Sequence, residues 1–142
     1  MEIFRIYLAG GMSGLSWEEQ TAWRTKICNE MYDFCDNYDV DVEVTDPTDY
    51  YNFKEPKHKS EKEVRNFDLH KLRRSDLVIV NFNSPNSIGT AQELAVAYEH
   101  RIPVIGLNEE NCELHPWLVE CCERIFDNID ELIEYVKEFY LM

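Results

Sequence analysis

The sequence predicts an α/β fold: a doubly wound, flavodoxin-like (Rossmann-like) parallel sheet of about five strands in the order 2-1-3-4-5. Three observations carry this. Apolar, β-rich runs alternate with amphipathic helical stretches along the chain. Two of those runs, residues 76–82 and 102–107, are nearly continuous in apolar residues, as strands buried on both faces of a parallel sheet require. The length, 142 residues with 44% hydrophobic and 13% aromatic side chains, suits one domain over 1–142 with a real core.

Residues 4–9 form the first strand, which stops at Gly10-Gly11. A loop through Met12, Ser13 and Gly14 leads to Ser16-Trp17-Glu18-Glu19, a capping box that opens the first helix. Trp23, Ile27, Met31 and Phe34 recur at helical spacing and face the core. Residues 40–45 alternate apolar and acidic, a strand exposed on one side, and Asp46-Pro47 ends it. Residues 47–59 have no clean periodicity and read as a long loop. Residues 61–74 read as a helix, with Val64, Phe67 or Leu69, and Leu72 on its apolar side. The 76–82 strand, a turn at Ser84-Pro85-Asn86-Ser87, a helix over 89–100 and the 102–107 strand follow. A short helix over 115–122, a short strand over 124–126 and a terminal helix capped by Asn128 complete the pattern, with Ile129, Leu132, Ile133 and Val136 facing inward.

Charge narrows the partners. Lys and Arg total 14 against 28 Asp and Glu, a net charge of -14. Such a surface repels a phosphate backbone and excludes nucleic-acid polymer as a partner. The basic residues are concentrated: eight of the 14 fall in residues 54–74, a pattern that admits a small anion. No apolar run reaches the roughly 18 to 20 residues of a membrane span, and the N-terminus has no signal-peptide pattern, so a cytoplasmic, membrane-free protein is expected. Five cysteines without a CxxC pair and four histidines without HExxH argue against a disulfide framework and against a metal site.

In a sheet of this order, ligands bind at the carboxyl ends of strands 1 and 3, where the strand order reverses. Familiar tenants are missing there: no GxxxxGK[ST], no complete GxGxxG and no GxSxG. A phospho-accepting receiver would want acidic residues where this chain has Gly10-Gly11 and Asn81. Three pieces remain. The glycine loop lets backbone N–H groups approach an anion or sugar. Asp68 precedes the third strand. Ser87-Ile88-Gly89-Thr90-Ala91-Gln92-Glu93 puts a hydroxyl, backbone donors and a carboxylate at a helix N-terminus, which should keep Glu93 ionised. Two carboxylates meeting at a sugar-sized pocket point to retaining glycosyl transfer.

The sequence also resembles a known family, the nucleoside 2-deoxyribosyltransferases with the related deoxynucleoside 5′-monophosphate N-glycosidases. The resemblance lies in Ile6-Tyr7-Leu8-Ala9-Gly10-Gly11-Met12, in Asp68 with Asp76-Leu77-Val78-Ile79-Val80, and in Gly89-Thr90-Ala91 with Glu93-Leu94-Ala95, Ala97-Tyr98 and Pro103-Val104-Ile105. It implies catalytic roles for Glu93 as nucleophile, Asp68 as the acid that assists base departure and Tyr7 as the residue that orients Glu93. It implies substrate contacts from Gly10, Gly11, Met12, Ser87 and Gly89. Where the transferases carry an aspartate, this chain has Ser87, which accepts a phosphate neighbour that a carboxylate would repel. The resemblance therefore implies a small-molecule nucleoside or nucleotide substrate, no metal or organic cofactor, and a homo-oligomer whose subunits complete each other's pockets. Gly89-Thr90 with Glu93 is also similar to half of the PGGxGTxxE motif of cytokinin-activating phosphoribohydrolases, without the leading PGG.

Plainer readings stand beside these. Thr90 to Glu93 fits a capping box in which Glu93 serves only the helix. Tyr7 fits a core strand, Asp68 a solvated helix face, and Ser87 an N-cap whose hydroxyl turns to the helix. A non-catalytic nucleotide-binding or sensor module fits the same fold.

Overall fold

Alternation along the first strand divides the molecule. In the computed structural model, which describes residues 2–50 and 57–142, strand β1 (Phe4–Gly10) is buried from Ile6 onward. Ile6 and Leu8 point to one side of the sheet, Tyr7 and Ala9 to the other. β1 pairs in parallel with β2 (Val42–Thr45) and β3 (Leu77–Asn81). β4 (Val104–Leu107) and β5 (Arg124–Phe126) extend the sheet, giving the order β2-β1-β3-β4-β5. This is the expected flavodoxin-like order, with its reversal between β1 and β3.

On the first face, Ile6, Leu8, Ile79 and Ile105 pack against Trp23, Ile27, Met31 and Phe34 of helix α1 (Trp17–Tyr38) and against Leu132, Ile133 and Val136 of a C-terminal helix. On the other face, Tyr7, Ala9, Val78 and Val80 pack against Leu72 of α2 (Glu61–Arg73) and Leu94 and Ala97 of α3 (Ile88–Glu99). A short α4 (Pro116–Glu120) precedes β5, and the C-terminal helix is α5 (Ile129–Val136), capped by Asn128 and followed by a wider π-type turn over Lys137–Leu141 that the sequence does not signal. The Ser16 capping box is formed on both sides: Ser16 Oγ accepts from Glu19 N–H at 3.1 Å, and the Glu19 carboxylate accepts from Ser16 N–H at 3.0 Å.

Element ends differ from the sequence pattern for local reasons. The last long strand starts at Val104 rather than 102, because Ile102 closes α3 instead. Arg101 takes a left-handed conformation (φ 57°), the Ile102 N–H bonds the Ala97 carbonyl, and Pro103 has no N–H for a ladder. β2 starts at Val42 because the chain leaves α1 through left-handed Asp39. Helix α3 starts one residue earlier than the expected Gly89, with Ser87 as its N-cap. The expected 47–59 loop is in part a 3-10 turn, Pro47–Asp49, capped by Asp46. Residues 51–56 of that loop, with Lys54 of the basic stretch, lie outside the described residues.

Candidate active site

The two helices on the Tyr7 face of the sheet bring the chemistry together. A cavity of about 540 Å³ opens at the carboxyl ends of β1 and β3, between α2 and the start of α3. Asp68 enters it from α2 and Glu93 from α3. The strand alternation that turns Tyr7 away from α1 also aims it at α3, and its hydroxyl donates to Glu93 Oε2. Tyr7 is thus a core residue along its ring and a hydrogen-bond donor at its tip.

The same device recurs at the second carboxylate. Tyr50, just after the 3-10 turn, donates its hydroxyl to Asp68 Oδ1. Its ring packs edge-on against Phe67, centroids 4.8 Å apart, which fixes the tyrosine beside the helix that carries Asp68. Asp68 and Glu93 are therefore each held by one tyrosine. No residue pattern marks Tyr50, since it follows a stretch without periodicity.

Electrostatics follow from burial. Burial pushes the Glu93 carboxyl up to about 8; the Tyr7 hydrogen bond opposes this, the Asp68 charge adds to it and the Arg24 charge draws it back. Burial also raises Asp68, against the Tyr50 hydrogen bond and the charges of His58 and Arg24. Tyr7 is held well above its ordinary value, first by burial and then by the negative charges of Glu93 and Asp68, so it keeps its proton and remains a donor. The expectation that the helix N-terminus keeps Glu93 ionised is corrected by its position. Glu93 lies in the second turn of α3, and the field of the helix end fades within the first. The capping-box reading fails for a related reason: the cap is Ser87, and the Glu93 carboxylate is turned to Tyr7.

Ser87 does two things. Its Oγ accepts from the Thr90 N–H at 3.2 Å and from the Thr90 hydroxyl at 3.1 Å, so the cap uses its lone pairs. Its own proton is left to donate, and the residue lines the cavity. Gly89 lines it too. A Cβ there would meet only Ser87 Oγ at 3.9 Å, so nothing within the chain demands glycine, and the bare backbone leaves room for a ligand. Met12 and Gly10 also line the cavity. Gly10 has a packing role as well: a Cβ would sit 2.8 Å from the Trp23 ring and 3.4 Å from Arg24 Nη2. Gly11 does not take the expected position. It stands back from the cavity, its N–H donates to Asn83 Oδ1 at 3.1 Å, and a Cβ would fall 2.4 Å from Ser84 Cβ, so its lack of a side chain serves the β1–β3 loop contact.

One further cavity residue is not evident from motifs. Arg24 of α1 is 1% exposed and lines the cavity floor beneath Gly10. Its signal in the sequence is a cation beside Trp23 and three residues before Ile27, on the largely apolar stripe of the helix. Of the basic stretch over 54–74, Arg65 lines the cavity wall. Among the described residues, no group of three His, Cys, Asp or Glu side chains could hold a metal ion. No helix of the described residues is long and apolar enough to cross a membrane.

A family model described as nucleoside 2-deoxyribosyltransferase matches residues 6–133. The chain belongs to that family. It is therefore an enzyme of nucleoside or nucleotide glycosyl transfer, with a small-molecule substrate. No curated protein matches by sequence. Among solved structures it is similar to a conserved protein from Enterococcus faecalis, with a TM-score of 0.73, 19% identity, and coverage of 96% of this chain and 99% of that one. A 2-deoxyribosyltransferase from Bacillus psychrosaccharolyticus gives a TM-score of 0.69 at 18% identity, covering 92% of this chain and 91% of its own. A CMP N-glycosidase from Clostridium botulinum gives 0.56 at 18%, covering 95% and 99%. At these identities the likenesses speak for the fold.

Proposed function

We propose that this deoxyribosyltransferase-family enzyme hydrolyses the N-glycosidic bond of a 2′-deoxynucleoside 5′-monophosphate through a covalent deoxyribosyl–Glu93 intermediate. The observation that carries the reading is the pair of tyrosine-held carboxylates, Glu93 with Tyr7 and Asp68 with Tyr50, on one cavity.

A Glu93 oxygen attacks C1′ as the C1′–N bond breaks. The electron pair of that bond leaves with the base, which takes a proton from Asp68 directly or through water. Burial raises the proton affinity of Asp68, which suits a donor. Water then attacks C1′, gives its proton to Asp68 and releases the Glu93 carboxylate, leaving free base and 2-deoxyribose 5-phosphate. The Ser87 hydroxyl, the N–H groups at the start of α3 and the Arg65 guanidinium support a phosphate at the α3 end of the cavity. Gly10, Met12 and Gly89 would flank the sugar and base. The second reading, transfer of the deoxyribosyl group to another base in place of water, is favoured by the activity that names the family.

Two features support a homo-oligomer. The outward face of α3 carries Ile88, 75% exposed, and Tyr98, 63% exposed, and Ile88 borders the cavity mouth. Five free thiols suit a reducing compartment, and we place the enzyme, as a single domain, in the cytosol.

Chromatography of nucleosides and their monophosphates, with and without a second base, tests the reaction. Free base with deoxyribose 5-phosphate supports hydrolysis, and an exchanged nucleoside assigns the transferase reading. A well-folded Glu93→Ala protein that still releases base would overturn both.

A further inference from the structure

Glu93 has to be ionised to attack C1′, yet its position supplies little to keep it so. It is part-buried, it shares the cavity with a second acid, and it lies beyond the first turn of its helix. A part-buried carboxylate in such a place needs a cation or strong donors nearby. Tyr7 supplies one donor. Of the two arginines that line the same cavity, Arg24 and Arg65, Arg24 is the buried one.

The guanidinium of Arg24 is anchored from three sides. Nη1 donates to the Gln20 carbonyl at 2.6 Å, Nη2 to the Gly10 carbonyl at 3.3 Å, and the group lies over the Trp23 ring at 4.6 Å from its centroid. Neither hydrogen bond neutralises it, because both acceptors are backbone carbonyls. Its nearest carboxylate, Asp46, is 3.8 Å from Nε, beyond hydrogen-bond distance, and the same Asp46 oxygen already accepts from the Thr48 N–H at 2.9 Å and the Thr48 hydroxyl at 2.6 Å. Among the described residues, Nε has no hydrogen-bond partner. An arginine this deep keeps its charge. The charge is thus shared between Asp46 and the cavity rather than consumed in one ion pair.

We propose that Arg24 is a positioning residue of the reaction: its fixed charge, locked beneath the carboxyl end of β1, eases ionisation of Glu93 to the carboxylate that attacks C1′. The inference rests on the reading of Glu93 as nucleophile. The groups facing Arg24 are Asp46 at the end of β2, Tyr7 of β1, Asp68 of α2 and Glu93 of α3. The Glu93 charge is acted on by Tyr7, Asp68 and Arg24, and Glu61 and Arg65 of α2 line the same cavity. Asp46 acts on Glu93 through Arg24.

The test reads Glu93 directly, without catalysis. Protein labelled with 13C at the glutamate carboxyl is titrated by NMR, the Glu93 resonance being assigned by its loss in Glu93→Gln. In Arg24→Gln, whose amide can still donate to one of the two carbonyls, the Glu93 midpoint is expected to rise by about one pH unit or more. Arg24→Lys should restore most of the wild-type value, and the acidic limb of kcat/KM should follow the NMR midpoint. An unchanged midpoint in Arg24→Gln overturns the proposal. Should Arg24→Gln fail to fold, Asp46→Asn takes its place: freeing Arg24 from its competing acid is expected to lower the midpoint, and a midpoint that stays put overturns the proposal. Wild-type protein that releases no base from any nucleoside or nucleotide defeats the functional reading, whatever the titration shows, so the two failures are distinguishable.

Discussion

The hydroxyl of Tyr7 reaches Glu93 across 86 residues of sequence, from the central strand β1 to the second turn of α3. It occupies Oε2 of a carboxylate that lines the cavity. Tyr7→Phe keeps the ring in the core and removes that donor. The rate at neutral pH should drop about 10- to 100-fold, the equivalent of the about 1.5–3 kcal/mol of a hydrogen bond to a charged group. The acidic limb of the pH–rate profile should also move to higher pH, because the lost bond favoured the ionised form. A profile that keeps its midpoint would remove Tyr7 from the mechanism.

Glu93 itself sets the pH response. Attack needs the carboxylate, so kcat/KM should climb as pH rises toward about 8. Stability should run the other way. The folded protein keeps the Glu93 proton up to about 8, whereas the unfolded chain releases it near 4.5, so this residue penalises folding increasingly as pH climbs between those values. Glu93→Gln should therefore raise Tm by several degrees at about pH 9 and by little at about pH 4, read by calorimetry. Equal changes at both pH values would show that the Glu93 carboxyl is not the cause.

Asp68 and Tyr50 can be separated by the leaving group. Asp68→Asn removes the proton donor and should slow base release about 100-fold or more. Tyr50→Phe leaves the donor but loosens it, so a smaller loss is expected. Both losses should shrink for a substrate whose base departs without protonation. A Tyr50→Phe rate equally depressed on every leaving group would make Tyr50 a structural residue only.

Arg65 tests the phosphate. It is exposed and caps nothing, so Arg65→Ala should leave the fold alone. KM for a 5′-monophosphate should rise about tenfold, a loss of about 1.4 kcal/mol, while KM for the nucleoside stays where it is. Equal KM changes on both substrates would place the phosphate elsewhere.

Much of the layering is legible in the residue pattern. Continuous apolar strands and helical stripes report burial, burial is what the sheet order must satisfy, and so residues 76–82 and 102–107 and the Trp23 to Phe34 stripe place the layers. The Ser16 capping box is equally plain because its hydrogen bonds span three residues. Thr90 to Glu93 matches the same local pattern, and there the pattern misleads. The Glu93 carboxylate has a better partner in Tyr7, which is near only once β1 and α3 share a face of the sheet. Gly11 shows the same limit: a glycine fit for an anion is taken by Asn83 from the neighbouring loop.

The amino-acid order alone, then, determines the α/β layering and picks out Asp68 and Glu93, since periodicity and short motifs are local properties of the chain, while Tyr7 is nominated by the family resemblance. What holds those residues is decided by the tertiary structure: Tyr50 for Asp68, Tyr7 for Glu93, Ser87 as the cap of α3, and Arg24 buried on the same cavity. Hydrogen-bond partners and buried charges depend on which elements pack together, and packing brings residues within 3 to 4 Å whatever their separation along the chain.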